Sequence, residues 1–297
     1  VITKKEGFNM INITGHTNLY GLLGSPVSHS ISPMMHNEAF NLLNLDNVYL
    51  CFDVDTSTLK TAVEGLKAIG IKGFNCTMPD KNLMYELCDE VSPAAKLVGA
   101  VNTVKNENGI LKGHMTDGVG YMMAAKDAGY NLVGKNMTLL GAGGAATAIC
   151  AQAAIDGVNE LNVFSIKDQF FDRAKKLIEN INNTTSCKAT LYDLADKAAL
   201  RDAIARSYLL TNATSVGMAP NTDNCIIEDA SMLRKDLIVS DIIYNPRETK
   251  LIKMAKEIGC PTFNGLYMLL YQGAEAFKIW TGTDMPTEEI KAKYFNN

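Results

Sequence analysis

The segment Thr138-Leu-Leu-Gly141-Ala142-Gly143-Gly144-Ala145-Ala146 constrains this chain more than any other. An apolar run, Met137 to Leu140, leads into a G-x-G-x-x-A turn, and an Ala-rich stretch from Ala145 to Ile155 follows. Strand, Gly-rich turn and helix in that order form the context in which such a turn binds a dinucleotide. Gly141 permits the tight turn, Gly143 lets backbone approach a pyrophosphate, and Ala146 lets the helix pack close to the strand. The helix N-terminus adds free N–H groups and the positive end of a dipole. The same residues also fit an ordinary Gly-rich βα turn. Asp168 weighs against that, because it follows about 20 residues beyond the turn, where ribose recognition places an acidic group.

At 297 residues the chain exceeds the usual size of one core, so two domains are expected. The net charge of −4, without long basic runs, reads against a nucleic-acid or anionic-membrane partner. No apolar run approaches the length that spans a bilayer. Val1 to Thr17 is polar and lacks an apolar core, which reads against a secretory signal. The seven cysteines form no C-x-x-C pair, so buried reduced thiols and a cytoplasmic setting are expected. The four histidines show no ligand spacing, and no metal site is expected.

The first part of the chain alternates strand and helix patterns. Leu19–Leu23, Asn47–Val54 and Gly73–Met78 read as strands, and Pro33–Leu45 and Thr58–Ile69 have helical apolar spacing. Ser32 and Ser57 stand where N-caps are expected. Val101–Val104 and Ile110–Met115 flank Asn106-Glu-Asn-Gly109, a hairpin signal. The expectation is a mostly parallel α/β domain with an antiparallel edge. A helix over Gly118–Ala128 then crosses to a second βα unit with strands at Met137–Leu140, Leu161–Ser165, Ala189–Leu191, Tyr208–Thr211 and Leu237–Ile242, a Rossmann-like sheet. A late helix, Leu266–Trp280, is placed to pack back on the first domain. The expected division is 1–117, 118–264, and a C-terminal return over 265–297. The segments near Gly118–Gly120 and Asn264–Gly265 are the expected hinges.

Four polar clusters lie outside the Gly-rich turn. Gly24-Ser-Pro-Val-Ser28-His-Ser30-Ile-Ser-Pro33 is a hydroxyl-dense loop that suits a carboxylate or polyol, and equally suits a turn with an N-cap. Asn75-Cys-Thr77-Met-Pro79-Asp-Lys81, Gly99-Ala-Val-Asn102-Thr103 and His114-Met-Thr116-Asp117-Gly118 lie at or beside strand ends. Ligands in open α/β sheets bind outside the carboxyl ends of strands. A lysine and an aspartate brought together there would orient one another and shift each other's proton affinity.

Gly21–Ser30, Asn75–Lys81, Gly99–Thr103, Thr116–Gly120, Gly141–Ala145, Asn212–Met218 and Tyr271-Gln-Gly-Ala274 follow, in order, the motif set of the shikimate dehydrogenase family, which the chain resembles over nearly its whole length. Ser92-Pro-Ala-Ala-Lys-Leu-Val-Gly-Ala and Asp168-Gln-Phe-Phe-Asp172 resemble its quinate/shikimate branch. The resemblance implies a first domain that binds shikimate or quinate and a second that binds a nicotinamide cofactor across a cleft. It implies Lys81 and Asp117 as the catalytic pair. Ser28 and Ser30 match the pair that holds the substrate carboxylate, and Thr77, Asn102 and Gln272 match hydroxyl-binding positions. Tyr49 and Tyr244 match further pocket positions. For the cofactor it implies Gly141, Ala142, Gly143, Gly144, Ala145, Lys167, Asp168, Asn212, Thr214, Met218 and Gly265. That branch often replaces the first serine of the S-x-S pair, and Ser28 here reads against efficient quinate use.

The implied reaction is reversible NAD(P)-dependent oxidation of the shikimate C3 hydroxyl to 3-dehydroshikimate. A quinate dehydrogenase using the same site and a non-catalytic ligand sensor on the same fold are the competing readings. NADP-preferring members carry an arginine after the second cofactor-domain strand, where this chain has Ile166 in Phe164-Ser-Ile-Lys167-Asp168. Preference for NAD with residual NADP use is therefore expected. Asp168 also stands where it would cap a helix over Gln169–Asn180. Monomer and homodimer are equally compatible with the sequence.

Overall fold

The computed structural model describes residues 13–295; of the polar lead, residues 1–12 lie outside the described residues. The first lobe comprises β1 (Asn18–Gly24), α1 (Ser32–Leu42), β2 (Asn47–Asp53), α2 (Leu59–Ala68), β3 (Gly73–Cys76), α3 (Lys81–Leu87), β4 (Glu90–Val91), α4 (Pro93–Val98), β5 (Thr103–Glu107) and β6 (Ile110–His114). Its six strands run in the order β2-β1-β3-β5-β6-β4. The antiparallel strand is not at the edge, as the sequence suggests, but inside the sheet. The hairpin turn reverses β5 against β6, with positive φ at Asn108 and Gly109 as a primed turn requires. β5 then also pairs with β3, and the two-residue β4 covers the outer side of β6.

The helix caps also differ from expectation. Asp55, not Ser57, accepts the backbone N–H groups of Ser57 (2.9 Å) and Thr58 (3.1 Å) at the start of α2. At α1, Ser30 Oγ accepts the Ser32 N–H at 3.2 Å, and Ser32 lies inside the helix. Asx and Ser side chains satisfy N–H groups two or three residues on, so the acceptor stands before the helical pattern begins.

The second lobe comprises α5 (Asp117–Asp127), β7 (Asn136–Leu140), α6 (Gly144–Ile155), β8 (Glu160–Ser165), α7 (Phe171–Thr184), β9 (Lys188–Asp193), α8 (Lys197–Arg206), β10 (Leu209–Asn212), β11 (Ile238–Asp241), α9 (Lys250–Ile258) and β12 (Thr262–Asn264). The strands are all parallel, in the order β12-β11-β10-β7-β8-β9. That is the doubly wound order of a dinucleotide-binding sheet, and its switch point falls between β7 and β10. Helix α6 is buried along most of its length, which its run of alanines permits. β12 has only three residues, too few to give a periodic signal.

α10 (Leu266–Thr281) and α11 (Thr287–Tyr294) return to the first lobe. Trp280 donates from Nε1 to the Val104 carbonyl (2.9 Å). α5 is rigidly held: Tyr121 Oη hydrogen-bonds Thr211 Oγ1 (2.6 Å) and Ser240 Oγ (2.7 Å) in the second sheet. Gly118 and Gly120 lie within α5, where a Cβ would strike the backbones of α6 and α10 respectively. These glycines therefore serve close helix packing.

Behind the first sheet, His36 is fully buried, stacked on Tyr49 (4.5 Å between centroids) and beside Phe277 and Trp280. Neither ring nitrogen has a hydrogen-bond partner among the described residues. Burial pushes its pKa down to about 3, so the folded ring is neutral. The unfolded ring titrates near pH ~6.5, so below that value the unfolded chain binds the extra proton. Stability is full above about pH 6.5 and is lost progressively toward about pH 3. His36→Phe is expected to shrink the difference in Tm between pH ~7.5 and ~5. An unchanged difference in thermal melts would show that His36 is not the group responsible.

Candidate active site

A cleft of about 610 Å³ lies at the ends of β1, β3 and β6 and faces the start of α6. Ser30, Thr77, Lys81, Asn102 and Asp117 line it from the first lobe. Ala145, Tyr244, Gly265 and Gln272 line it from the other side. Ser28 is exposed on the same loop as Ser30 but is not among the lining residues. Tyr49 does not reach the cleft: it is fully buried on β2, and its hydroxyl donates to Asn75 Oδ1 at 2.8 Å. Its assignment to the pocket is corrected, because the buried ring stacks on His36 and its hydroxyl is taken up by Asn75. His29, Tyr294 and Phe295 also line the cleft and were not foreseen as ligand residues. His29 shares the hydroxyl-rich loop, a signal within reach of the sequence. Tyr294 and Phe295 arrive from the far end of the chain, and nothing local marks them.

At the floor, Lys81 Nζ donates to Asp117 Oδ2 at 2.6 Å. The side chains are 22% and 13% exposed, so solvent screens this pair weakly. Lys81 is the first residue of α3, where the helix dipole disfavours a cation. Asp117 is the first residue of α5, where the dipole favours an anion, and its charge offsets the unfavourable placement of Lys81. Asn102 donates from Nδ2 to Asp117 Oδ1 (2.8 Å) and Thr116 Oγ1 (3.0 Å), and its Oδ1 accepts the Thr116 N–H (2.7 Å). Both amide hydrogens of Asn102 thus have protein partners.

Across the cleft, β7 is followed by Gly141, whose φ of +120 disfavours any side chain. A Cβ there would meet the Ala213 carbonyl oxygen at 2.8 Å, since β7 and β10 turn together at the switch point. At Gly143 and Gly144 a Cβ would meet nothing within 4 Å. Open space above two exposed glycines at the N-terminus of a twelve-residue helix fits a pyrophosphate. Ala142 is buried under the turn.

Asn212 is fully buried and structural in its contacts: Nδ2 donates to both Asp241 oxygens (3.1 Å each) and Oδ1 accepts from Thr214 Oγ1 (2.7 Å). Burial raises the Asp241 pKa to about 6 against these donors. Met218 is exposed beyond them. After β8, Ile166 is exposed, Lys167 pairs with Asp193 (3.1 Å), and Asp168 Oδ1 accepts the Phe170 N–H (2.9 Å). Helix α7 begins at Phe171 with no side-chain cap, so Asp168 closes the turn before the helix and does not cap a helix over Gln169–Asn180. The seven cysteines are free thiols, and no cluster of three metal-binding side chains occurs among the described residues. No helix among them is long and apolar enough to cross a membrane.

A lysine–aspartate pair facing a glycine-rich βα turn across one cleft fits the class of nicotinamide-dependent oxidoreductases. Residues 22–104 match the shikimate dehydrogenase substrate binding domain, and residues 265–293 match the shikimate 5'-dehydrogenase C-terminal domain. The chain is 53% identical over 283 residues to a shikimate dehydrogenase (NADP(+)) of Listeria monocytogenes serotype 4b (strain F2365), covering 95% of this chain and 97% of the relative. It is 46% identical over 281 residues to a quinate/shikimate dehydrogenase of Escherichia coli (strain SMS-3-5 / SECEC), covering 95% and 98%. A crystal structure of shikimate 5-dehydrogenase from Listeria monocytogenes in complex with shikimate and NAD superposes with a TM-score of 0.92 at 53% identity, covering 95% and 97%. The chain belongs to the shikimate dehydrogenase family.

Proposed function

We propose that this protein catalyses the reversible oxidation of shikimate to 3-dehydroshikimate with a nicotinamide dinucleotide. The Lys81–Asp117 pair on the cleft floor is the observation that carries the reading, and the relatives' names support it. We divide the chain at Asp117/Gly118 and Asn264/Gly265, with 265–297 completing the substrate side. The bound cofactor supplies the hydride acceptor at its nicotinamide ring. In oxidation, Lys81 as the neutral amine accepts the hydroxyl proton; in reduction, the ammonium returns it to the ketone oxygen. Asp117 holds the Lys81 nitrogen in place and offers a carboxylate to a neighbouring substrate hydroxyl. Thr77 and Gln272 bind further hydroxyls, and Ser30 binds the carboxylate. Gly141 to Ala145 hold the pyrophosphate. Turnover assays with shikimate and quinate, each with NAD and NADP, test the reading. Turnover of shikimate is expected, and failure with both cofactors overturns it.

The placement of the two serines separates their roles. Ser30→Ala is expected to raise KM for shikimate by about tenfold with little change in kcat, because a hydrogen bond to a carboxylate is mostly uniform binding. Ser28→Ala is expected to leave KM within about twofold. Equal effects on KM would mean that the loop closes to bring Ser28 onto the substrate.

The cofactor preference rests on Asp168. Its carboxylate suits a ribose hydroxyl and repels a 2′-phosphate, Ile166 offers no charge, and Lys167 is paired with Asp193. We therefore propose preference for NAD, although the Listeria relative is named for NADP(+). Asp168→Ala is expected to lower the NAD/NADP ratio of kcat/KM by about tenfold or more. A wild-type preference for NADP in that comparison sinks the assignment.

A further inference from the structure

A set of buried polar side chains stands behind Asp117 and does not line up with the cleft's chemistry by chance of packing alone. Thr103 is fully buried on β5, in register with Asn75 of β3 on one side and His114 of β6 on the other. Its Oγ1 accepts from Asn75 Nδ2 at 2.9 Å. It also lies 3.2 Å from Thr116 Oγ1. Thr116 in turn contacts Asn102, and Asn102 donates to Asp117. At the other end, the Tyr49 hydroxyl donates to Asn75 Oδ1.

Chemistry determines the direction of the bonds at the Tyr49 end. Burial pushes the Tyr49 phenol well above its ordinary range, so it remains a donor. With Asn75 Oδ1 accepting from Tyr49, Asn75 Nδ2 must donate to Thr103 Oγ1. The Thr103 hydrogen is then available to Thr116 Oγ1. The Thr116 N–H donates to Asn102 Oδ1, which fixes the amide with its Nδ2 toward Asp117. Donors run from Tyr49 to Asn75 and from Asn75 to Thr103; beyond Thr103, Thr116 clasps the Asn102 amide, accepting from Nδ2 at its hydroxyl and donating its backbone N–H to Oδ1, and the other amide hydrogen of Asn102 meets the carboxylate that holds Lys81. Linked hydrogen bonds in a buried network polarise each other. Packing alone does not call for this: valine fills the same volume on a buried strand without a hydroxyl that must be satisfied.

We propose that Thr103 is a positioning residue for catalysis, the centre of a buried hydrogen-bond relay that holds Thr116, through it aims Asn102, and so orients Asp117 toward Lys81. Tyr49 is the distal donor of this relay. The inference rests on the Lys81–Asp117 reading above. The interior antiparallel strand has a functional consequence here, because only β5 between β3 and β6 places a hydroxyl between Asn75 and Thr116.

The test compares Thr103→Val, Thr103→Ser and Tyr49→Phe with the wild type in shikimate turnover and thermal melting. Thr103→Val is expected to lower kcat by about tenfold with KM for shikimate within about twofold. Thr103→Ser is expected to restore kcat to within about twofold of wild type, since it returns the hydroxyl. Tyr49→Phe is expected to lower kcat by about threefold with KM unchanged, and it carries the test should Thr103→Val not fold. An unchanged kcat in Thr103→Val overturns the proposal. So does a Tyr49→Phe variant in which KM alone rises, or a melting loss in Thr103→Val with no rescue of kcat by serine. Absence of wild-type shikimate turnover overturns the proposed function and this inference with it, whereas wild-type turnover with unaffected variants overturns only the relay.

Discussion

Lys81→Ala is expected to lower kcat by about 10²–10⁴-fold, the usual contribution of a positioned acid–base group. Shikimate binding should persist, because Ser30, Thr77 and Gln272 remain on the cleft wall. Loss of the ammonium also leaves Asp117, 13% exposed, with Asn102 as its remaining side-chain donor. Breaking a buried pair costs up to about 3–5 kcal/mol, and the partial exposure of this one places its cost lower in that range. The decisive measurement is kcat beside an independent binding constant for shikimate. Added small primary amines should restore part of the rate, because they resupply a proton carrier of the same chemistry. A variant with kcat within a few-fold of wild type removes Lys81 from the mechanism.

The largest expected stability effect is at Gly118. In an ordinary exposed helix position, Gly→Ala stabilises by about 1 kcal/mol through helix propensity. Gly65 in α2 is such a position, with nothing within 4 Å of an added Cβ. Gly65→Ala is expected to stabilise by about 0.5–1 kcal/mol. At Gly118 the added Cβ would strike the Ala148 carbonyl oxygen and approach Gln152 Cβ to 2.6 Å. A backbone atom of a packed helix cannot rotate away, so α5 and α6 must separate. Overpacking of that kind costs about 1–3 kcal/mol and exceeds the propensity gain. Gly118→Ala is therefore expected to destabilise, and because α6 carries the dinucleotide turn, to raise cofactor KM as well. Opposite signs of the two ΔTm values check the argument. A stabilised Gly118→Ala would mean that the α5–α6 contact is loose.

The parts of the fold that were legible in the sequence have local causes. The glycine-rich turn, the Ala-rich helix after it, the Asn108-Gly109 hairpin and the strand-ending Thr77, Asn102 and Asp117 each follow from residues within a few positions of one another. The position of β5 was misread because a hairpin signal specifies that two strands are antiparallel, and not which third strand closes on them. Tyr49 was misplaced for a similar reason. The successive residues Asn47, Val48 and Tyr49 at the start of β2 are all buried, so this stretch offers no alternation to show which side meets the ligand. The motif match at Ser28 carries residue identity but not the loop conformation that leaves it exposed.

The sequence by itself determined the doubly wound cofactor sheet, the order of its βα units, and a lysine and an aspartate at the ends of the first sheet's strands. Only the tertiary structure decided that Lys81 and Asp117 meet at 2.6 Å, that Gly118 and Gly120 pack against α6 and α10, and that α11 brings Tyr294 and Phe295 to the cleft. It also decided that Thr103 joins Asn75 to Thr116 behind the Lys81–Asp117 pair. The reason is range. Turn chemistry, capping and apolar periodicity act over a few residues and leave a mark in the one-dimensional pattern. Contacts between residues dozens of positions apart depend on how sheets and helices settle against each other, and periodicity does not encode that packing.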